Sequence, residues 1–120
     1  MIVNLTPHAI TMRDASGRDH LIPPSGTVAR VSNGRGAPVT LPVGTGGWVD
    51  FPIPVIGPDL PGAVTGLPDP VDGTYLIVSG AVGAAVAGRR DVLVPGTGPG
   101  DNPVRDDEGR IVAVRCLKLV

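Results

Sequence analysis

The chain has 120 residues, a formal net charge of -1 at pH 7, eighteen glycines and fourteen prolines. Its length sets the expectation of a single globular domain over residues 1–120 with one core, and a charge so near zero excludes general attraction to a nucleic acid polymer. Leu, Ile, Val and Phe together number 35, enough apolar side chain to offset the ordering entropy of a glycine- and proline-rich backbone, so a disordered chain is excluded.

Eighteen of the apolar residues are valines, whose branched side chains suit a pleated surface, while glycine and proline supply turns between short strands. In chain order, residues 2–5 form a first strand. Thr6-Pro7 breaks it before a second extended stretch at 9–12. Residues 14–19 make a hairpin turn with Ser16-Gly17 at its tip, and 20–22 return. Pro23-Pro24-Ser25-Gly26 stops that strand, residues 27–32 alternate as a half-buried strand, and Asn33-Gly34 signals a turn. From residue 37 to residue 70 eight prolines restrict strands to edges, bulges or loops. Short extended pieces are expected there at 39–43, 48–55 and 63–67, and Trp48 and Phe51 are assigned to plugging the core or one end of a barrel rather than to a ligand platform.

Residues 74–95 are the most informative part. A strand at 74–79 runs into an alanine-rich helix at about 80–88, and past Arg89-Arg90 a second strand follows at 91–94. A helix that short, weakened by Gly83 and Gly88, exists only where it is packed. Residues 95–103 form a loop, 106–109 a turn, and 111–120 a strand that closes the sheet. No internal repeat is read. The fold class is mainly β of the α+β type: a small β-barrel or sandwich-like sheet with one short helix in a strand-helix-strand unit.

Chemistry-bearing groups are few. Ser79 stands at the N-cap with Gly80 behind it, and the free N–H groups of a first helical turn attract anions; capping alone is the competing use. Arg89 and Arg90, at the far end of the helix, neutralise its C-terminus, pair with an acid, or contact another part of a ligand. The alternating glycines of the loop at 95–103 resemble a phosphate loop only superficially, lacking the lysine-serine ending, and a flap over a pocket competes with a plain connector. Thr6-Pro7-His8 holds an imidazole on a stiff backbone for a ligand or for a structural bond. His20 follows a charged turn and is solvated. Asp101, Asp106, Asp107 and Glu108 make a solvated turn rather than a calcium loop. Cys116 lies in an apolar run as a small hydrophobe. With two histidines and one cysteine, no metal site is expected. No stretch has the eighteen or so apolar residues of a membrane span, and no signal peptide is read, so no membrane partner and a cytoplasmic location (the host cytoplasm, if phage-encoded) are expected.

The segments NLTPHAI (residues 4–10), PPSG (23–26), ARV (29–31), YLIVS (75–79) and RRDVLVPG (89–96) together resemble a group of small uncharacterised proteins of actinobacteria and their phages. That resemblance covers most of the chain, implies a phage or prophage origin, and brings no activity or site residues with it.

The function expected from these features is non-catalytic binding of a small anionic, nucleotide-like ligand by Thr6, His8, Ser79, Gly80, Arg89 and Arg90, without a cofactor and possible across the subunits of a homo-oligomer. In a phage setting that would sequester a host immune signal. Two alternatives stay open: a small phosphoesterase or lyase with His8 as base, and a phage structural or assembly protein joined through its apolar C-terminal run.

Overall fold

The structure, a computed structural model, describes residues 1–41, 53–58 and 60–120. Strands β1 (Ile2–Asn4), β2 (Ile10–Arg13), β3 (Asp19–Ile22), β4 (Arg30–Gly34), β5 (Pro38–Leu41), β6 (Ile53–Ile56) and β7 (Leu60–Thr65) occupy the first half. Then come β8 (Tyr75–Ile77), helix α1 (Gly80–Ala85), β9 (Val92–Pro95), a 3-10 turn at Pro99–Asp101, β10 (Val104–Arg105), β11 (Ile111–Ala113) and β12 (Leu117–Leu119). By internal contacts the chain divides into two compact units, Met1–Val31 with Val64–Val120, and Ser32–Ala63.

The larger unit is built on a four-stranded sheet ordered β1-β8-β9-β12. β8 pairs in parallel with both β1 and β9, and β12 runs antiparallel to β9. The expected strand-helix-strand unit is therefore present, with α1 as the crossover. Alternation along the strands puts Val3, Leu5, Leu76, Val78, Val92, Val94 and Val120 on the face that α1 covers through Val82, where Ala29 also packs. Each fully buried Val or Leu contributes about 1.5–3 kcal/mol, and Val78, Val82 and Val92 are all essentially without exposure. The opposite face carries Asn4 and Ile77, also buried.

α1 is shorter than the sequence suggests. It ends at Ala85, where the Val86 N–H is shared between the carbonyls of Gly83 and Val82. Only the first six positions of the 80–88 stretch stay helical, because Val86 leaves helical dihedrals (φ -121°, ψ 29°) and Gly88 takes φ +95°, which ends the run. Among the described residues the sheets are one of four strands and four of two, so no barrel closes; a mainly β, α+β fold with one short helix is what forms.

Two expected elements differ. Asn33-Gly34, read as a turn, lies inside β4, because pairing between β4 and β7 overrides the local turn preference. The single closing strand at 111–120 is split into β11 and β12. Between them Val114 leaves β11 to bridge Met12 of β2, its N–H donating to the Thr11 carbonyl while its own carbonyl accepts from Arg13.

In the smaller unit β5 and β6 form an antiparallel ribbon with Val39 opposite Val55. Pro38 and Pro54 fit there because each strand of a two-stranded ribbon has an unpaired edge. Trp48 and Phe51, assigned above to the core, lie outside the described residues, as do parts of the 39–43 and 48–55 stretches.

Two hairpin turns share one six-residue pattern, although the sequence has no longer repeat. Arg13-Asp14-Ala15-Ser16-Gly17-Arg18 closes the β2-β3 hairpin, and Arg105-Asp106-Asp107-Glu108-Gly109-Arg110 closes the β10-β11 hairpin. In both, one Asp oxygen accepts the N–H groups two and four residues on, at 2.9–3.0 Å, and the glycine has φ near +80° (+86° and +81°). Asp14 also accepts from the Ser16 hydroxyl at 2.6 Å and lies 2.7 Å from His20 Nε2. Hydrogen bonds from Ser16, first, and His20, next, hold the Asp14 carboxyl well below the usual carboxylate range. A carboxylate with a lowered native pKa contributes its full stabilisation above the unfolded value, about 3.9, and loses it as pH falls toward the native one. Urea denaturation of wild type and Asp14→Asn from pH 7 to pH 2 should therefore show a stability gap that is at its full size above about pH 5 and shrinks on further acidification; a gap independent of pH would refute that role.

Candidate functional site

The NLTPH corner is organised by a residue that sequence reading passed over. Asn4 is 1% exposed, and its side chain uses both ends. Nδ2 donates to the His8 carbonyl at 2.8 Å and to the Ile22 carbonyl at 3.2 Å, while Oδ1 accepts from the Thr6 N–H at 2.9 Å and the Thr6 hydroxyl at 2.6 Å. Thr6 Oγ1 also lies 2.9 Å from the His8 carbonyl. Thr6 and His8 are thus bound into the corner through a hydroxyl and a backbone carbonyl, and the residue His8 is exposed at the surface.

Ser79 and Gly80 follow β8 at the carboxyl ends of the parallel strands, the end of an open sheet where ligands are usually met. Ser79 adopts an extended N-cap conformation (φ -66°, ψ 160°), and its Oγ accepts the Val82 N–H at a long 3.4 Å. The cap uses one lone pair and leaves the hydroxyl proton available as a donor.

Two clefts share Ser79. One, of about 310 Å³, is lined by Thr6, Pro7, Arg30, Ser79, Ala81 and neighbouring apolar residues. This cleft brings Thr6 together with Ser79, as the sequence suggested, but the arginine beside them is Arg30. The other, of about 390 Å³, is lined by Ser79, Gly80, Thr97, Gly98, Asp101 and Lys118 against Val94, Pro95 and Leu119. Lys118 stands opposite Val94 in the β9-β12 register, so strand alternation places it on the face that α1 covers. Its ammonium is 3.3 Å from Asp101 Oδ2, and the same oxygen accepts the Gly98 N–H at 2.9 Å. The glycine-rich loop is pinned here: Gly96 N–H donates to the Cys116 carbonyl at 2.9 Å, and Asn102 closes the turn at φ 47°. Cys116 itself is half-buried, with its sulfur against Gly96.

Compared with family models, curated proteins and solved structures, the chain matches none.

Arg89 and Arg90 lie at the opposite, amino-terminal end of β8 and β9. They line a separate cleft of about 420 Å³ with Asp72, Thr74, Tyr75 and Asp91. Arg89 is committed to a bidentate pair with Asp91, at 2.8 and 2.6 Å, and to the Pro68 carbonyl at 3.1 Å. The hydrogen bonds between Arg89 and Asp91 raise the guanidinium pKa and hold the Asp91 carboxyl below its usual range. The six residues singled out from sequence are therefore distributed over the NLTPH corner, the α1 entrance and the far end of the sheet.

His20 and Asp14 form a histidine-carboxylate pair at 2.7 Å, but on an exposed hairpin turn where the acid is already engaged by Ser16 and two backbone N–H groups. Among the described residues no three His, Cys, Asp or Glu side chains gather as metal ligands, and no helix is long and apolar enough to cross a membrane. The cleft residues that sequence reading missed are Arg30, Thr97, Asp101 in this role, and Lys118. One signal for the last was available: it is the single lysine beside nine arginines, flanked by Leu117 and Leu119 in an alternating strand.

Proposed function

We propose that the chain is a non-catalytic binding module for a small anionic, phosphate-bearing ligand of the nucleotide type, held in the cleft of Ser79, Gly80, Thr97, Gly98 and Lys118. The observation that carries this reading is the grouping of two hydroxyl donors and an ammonium around about 390 Å³ of space, within the range of small-molecule sites. Val94, Pro95 and Leu119 supply the apolar wall for a base or similar ring, while Lys118 acts as a point charge on the anion. Six-residue α1 adds little as a dipole, and its entrance is already capped by Ser79, so side chains rather than the helix terminus carry the electrostatics. On the likeness of the NLTPHAI segment to phage-associated proteins, the role we assign is sequestration of a host nucleotide signal.

Thermal unfolding with nucleoside mono-, di- and triphosphates and cyclic dinucleotides tests the reading. A ligand at one hundred times its Kd should stabilise the wild type by about 2.7 kcal/mol. Lys118→Ala and Thr97→Val should keep the unliganded stability and weaken that response. If none of these compounds shifts the wild-type transition, the reading fails.

A further inference from the structure

Asp101 is placed where a guest anion would be. Its side chain is only 15% exposed, against 55% for Lys118, and a single oxygen, Oδ2, takes both the Gly98 N–H at 2.9 Å and the Lys118 ammonium at 3.3 Å. The carboxylate is carried by the 3-10 turn Pro99–Asp101, in a loop held at Gly96 by the Cys116 carbonyl, so releasing Lys118 needs only the Asp101 side chain to turn away. Among the described residues, Asp101 and Lys118 are the charged groups lining this cleft, and while they are paired their charges cancel.

We infer that Asp101 is the specificity-determining residue of the cleft: its carboxylate occupies Lys118 and the Gly98 N–H as an internal anion, and a ligand enters by displacing it. The inference rests on the anion-binding reading above and adds a selection rule to it. A monovalent anion offers Lys118 nothing that Asp101 does not already provide. A polyvalent phosphate brings more charge and several acceptor oxygens, enough to bridge the ammonium and the freed N–H together. The cleft therefore admits pyrophosphate-like groups in preference to carboxylates.

The test uses calorimetric titration of the full chain with inorganic pyrophosphate and, separately, acetate, at low ionic strength. Asp101→Asn keeps an oxygen to accept the Gly98 N–H and removes only the charge, so the turn survives. Pyrophosphate should bind this variant roughly fivefold more tightly than it binds wild type, the scale of an exposed ion pair released from competition, and acetate binding should become measurable. In Lys118→Ala/Asp101→Asn the gain should vanish, since the contested cation is gone. Equal pyrophosphate affinity in wild type and Asp101→Asn overturns the inference while leaving the anion site standing, and weaker binding in Asp101→Asn overturns it by making Asp101 a ligand contact. No pyrophosphate binding by wild type, Asp101→Asn or Lys118→Ala removes the anion site and the inference with it.

Discussion

Replacing Asn4 by alanine should cost the fold about 3 kcal/mol, measured as a lower urea midpoint at unchanged m-value. The side chain satisfies four groups: the carbonyls of His8 and Ile22, and the N–H and hydroxyl of Thr6. An unsatisfied buried group costs about 1–3 kcal/mol, and water entering the space left by the truncation recovers part of the sum. Asn4→Asp is the more incisive substitution. It is nearly isosteric but turns the donor end into a second acceptor, facing two carbonyl oxygens at a site 1% exposed. At neutral pH its loss should exceed that of alanine, because an unpaired buried charge is added to the lost bonds. The introduced carboxyl titrates at a higher pH in the folded state than in the unfolded one, so the folded state binds the extra proton first and stability rises as pH falls toward the unfolded carboxyl range. A loss in Asn4→Asp that stays the same from pH 7 to pH 4 would show that the side chain is not held as described.

Gly83 should be the position where a single methyl group does most damage. A β-carbon there would stand 2.6 Å from Val94 Cγ1 and 2.9 Å from Val120 Cγ1, closer than real carbon atoms approach. Both obstacles are branches of stiff valines seated on the sheet, so relief requires α1 to lift from its packing surface. Overpacking of this kind costs about 1–3 kcal/mol for one or two methylenes, against a gain of up to about 1 kcal/mol from replacing a helical glycine. Gly83→Ala should come out destabilised by about 1–2 kcal/mol, and Gly83→Leu by more. Gly80 provides the opposite case in the same helix. It is exposed and a β-carbon there meets nothing within 4 Å, so Gly80→Ala should be neutral or stabilising. Thermal midpoints of the three variants decide the matter, and a stabilised Gly83→Ala would mean that α1 does not lie against Val94 and Val120.

The contrast between these two glycines marks what was legible in the sequence. Residues 74–94 announced a strand, a helix and a strand because valine and alanine periodicity and the Ser79 cap are local signals, and local signals are what a sequence displays. That Gly83 rather than Gly80 touches the sheet depends on how α1 crosses Val94 and Val120, which are eleven and thirty-seven positions further along the chain. Asn4 is a similar case. The Thr-Pro-His part of its motif reads in sequence as serving a ligand or a structural bond, whereas the motif's most buried polar member holds the corner together, through a partner at Ile22 that periodicity does not predict. The candidate cleft was half visible: Ser79 and Gly80 were named, but Lys118 joins them only because β12 lies antiparallel beside β9 with the lysine opposite Val94. Arg89 and Arg90 were separated from Ser79 by helix length alone, and the chain does place them at the other end of the strands.

The parallel pairing of β1 with β8 also governs how the chain reaches this arrangement. Leu76 and Val92, neighbours across β8 and β9, are 16 positions apart, whereas Ile2 and Tyr75, neighbours across β1 and β8, are 73 apart. Closing the longer segment costs about 1.3 kcal/mol more in chain entropy. On loop-closure entropy alone, the β8-α1-β9 unit is therefore expected to form before β1 pairs onto the open edge of β8.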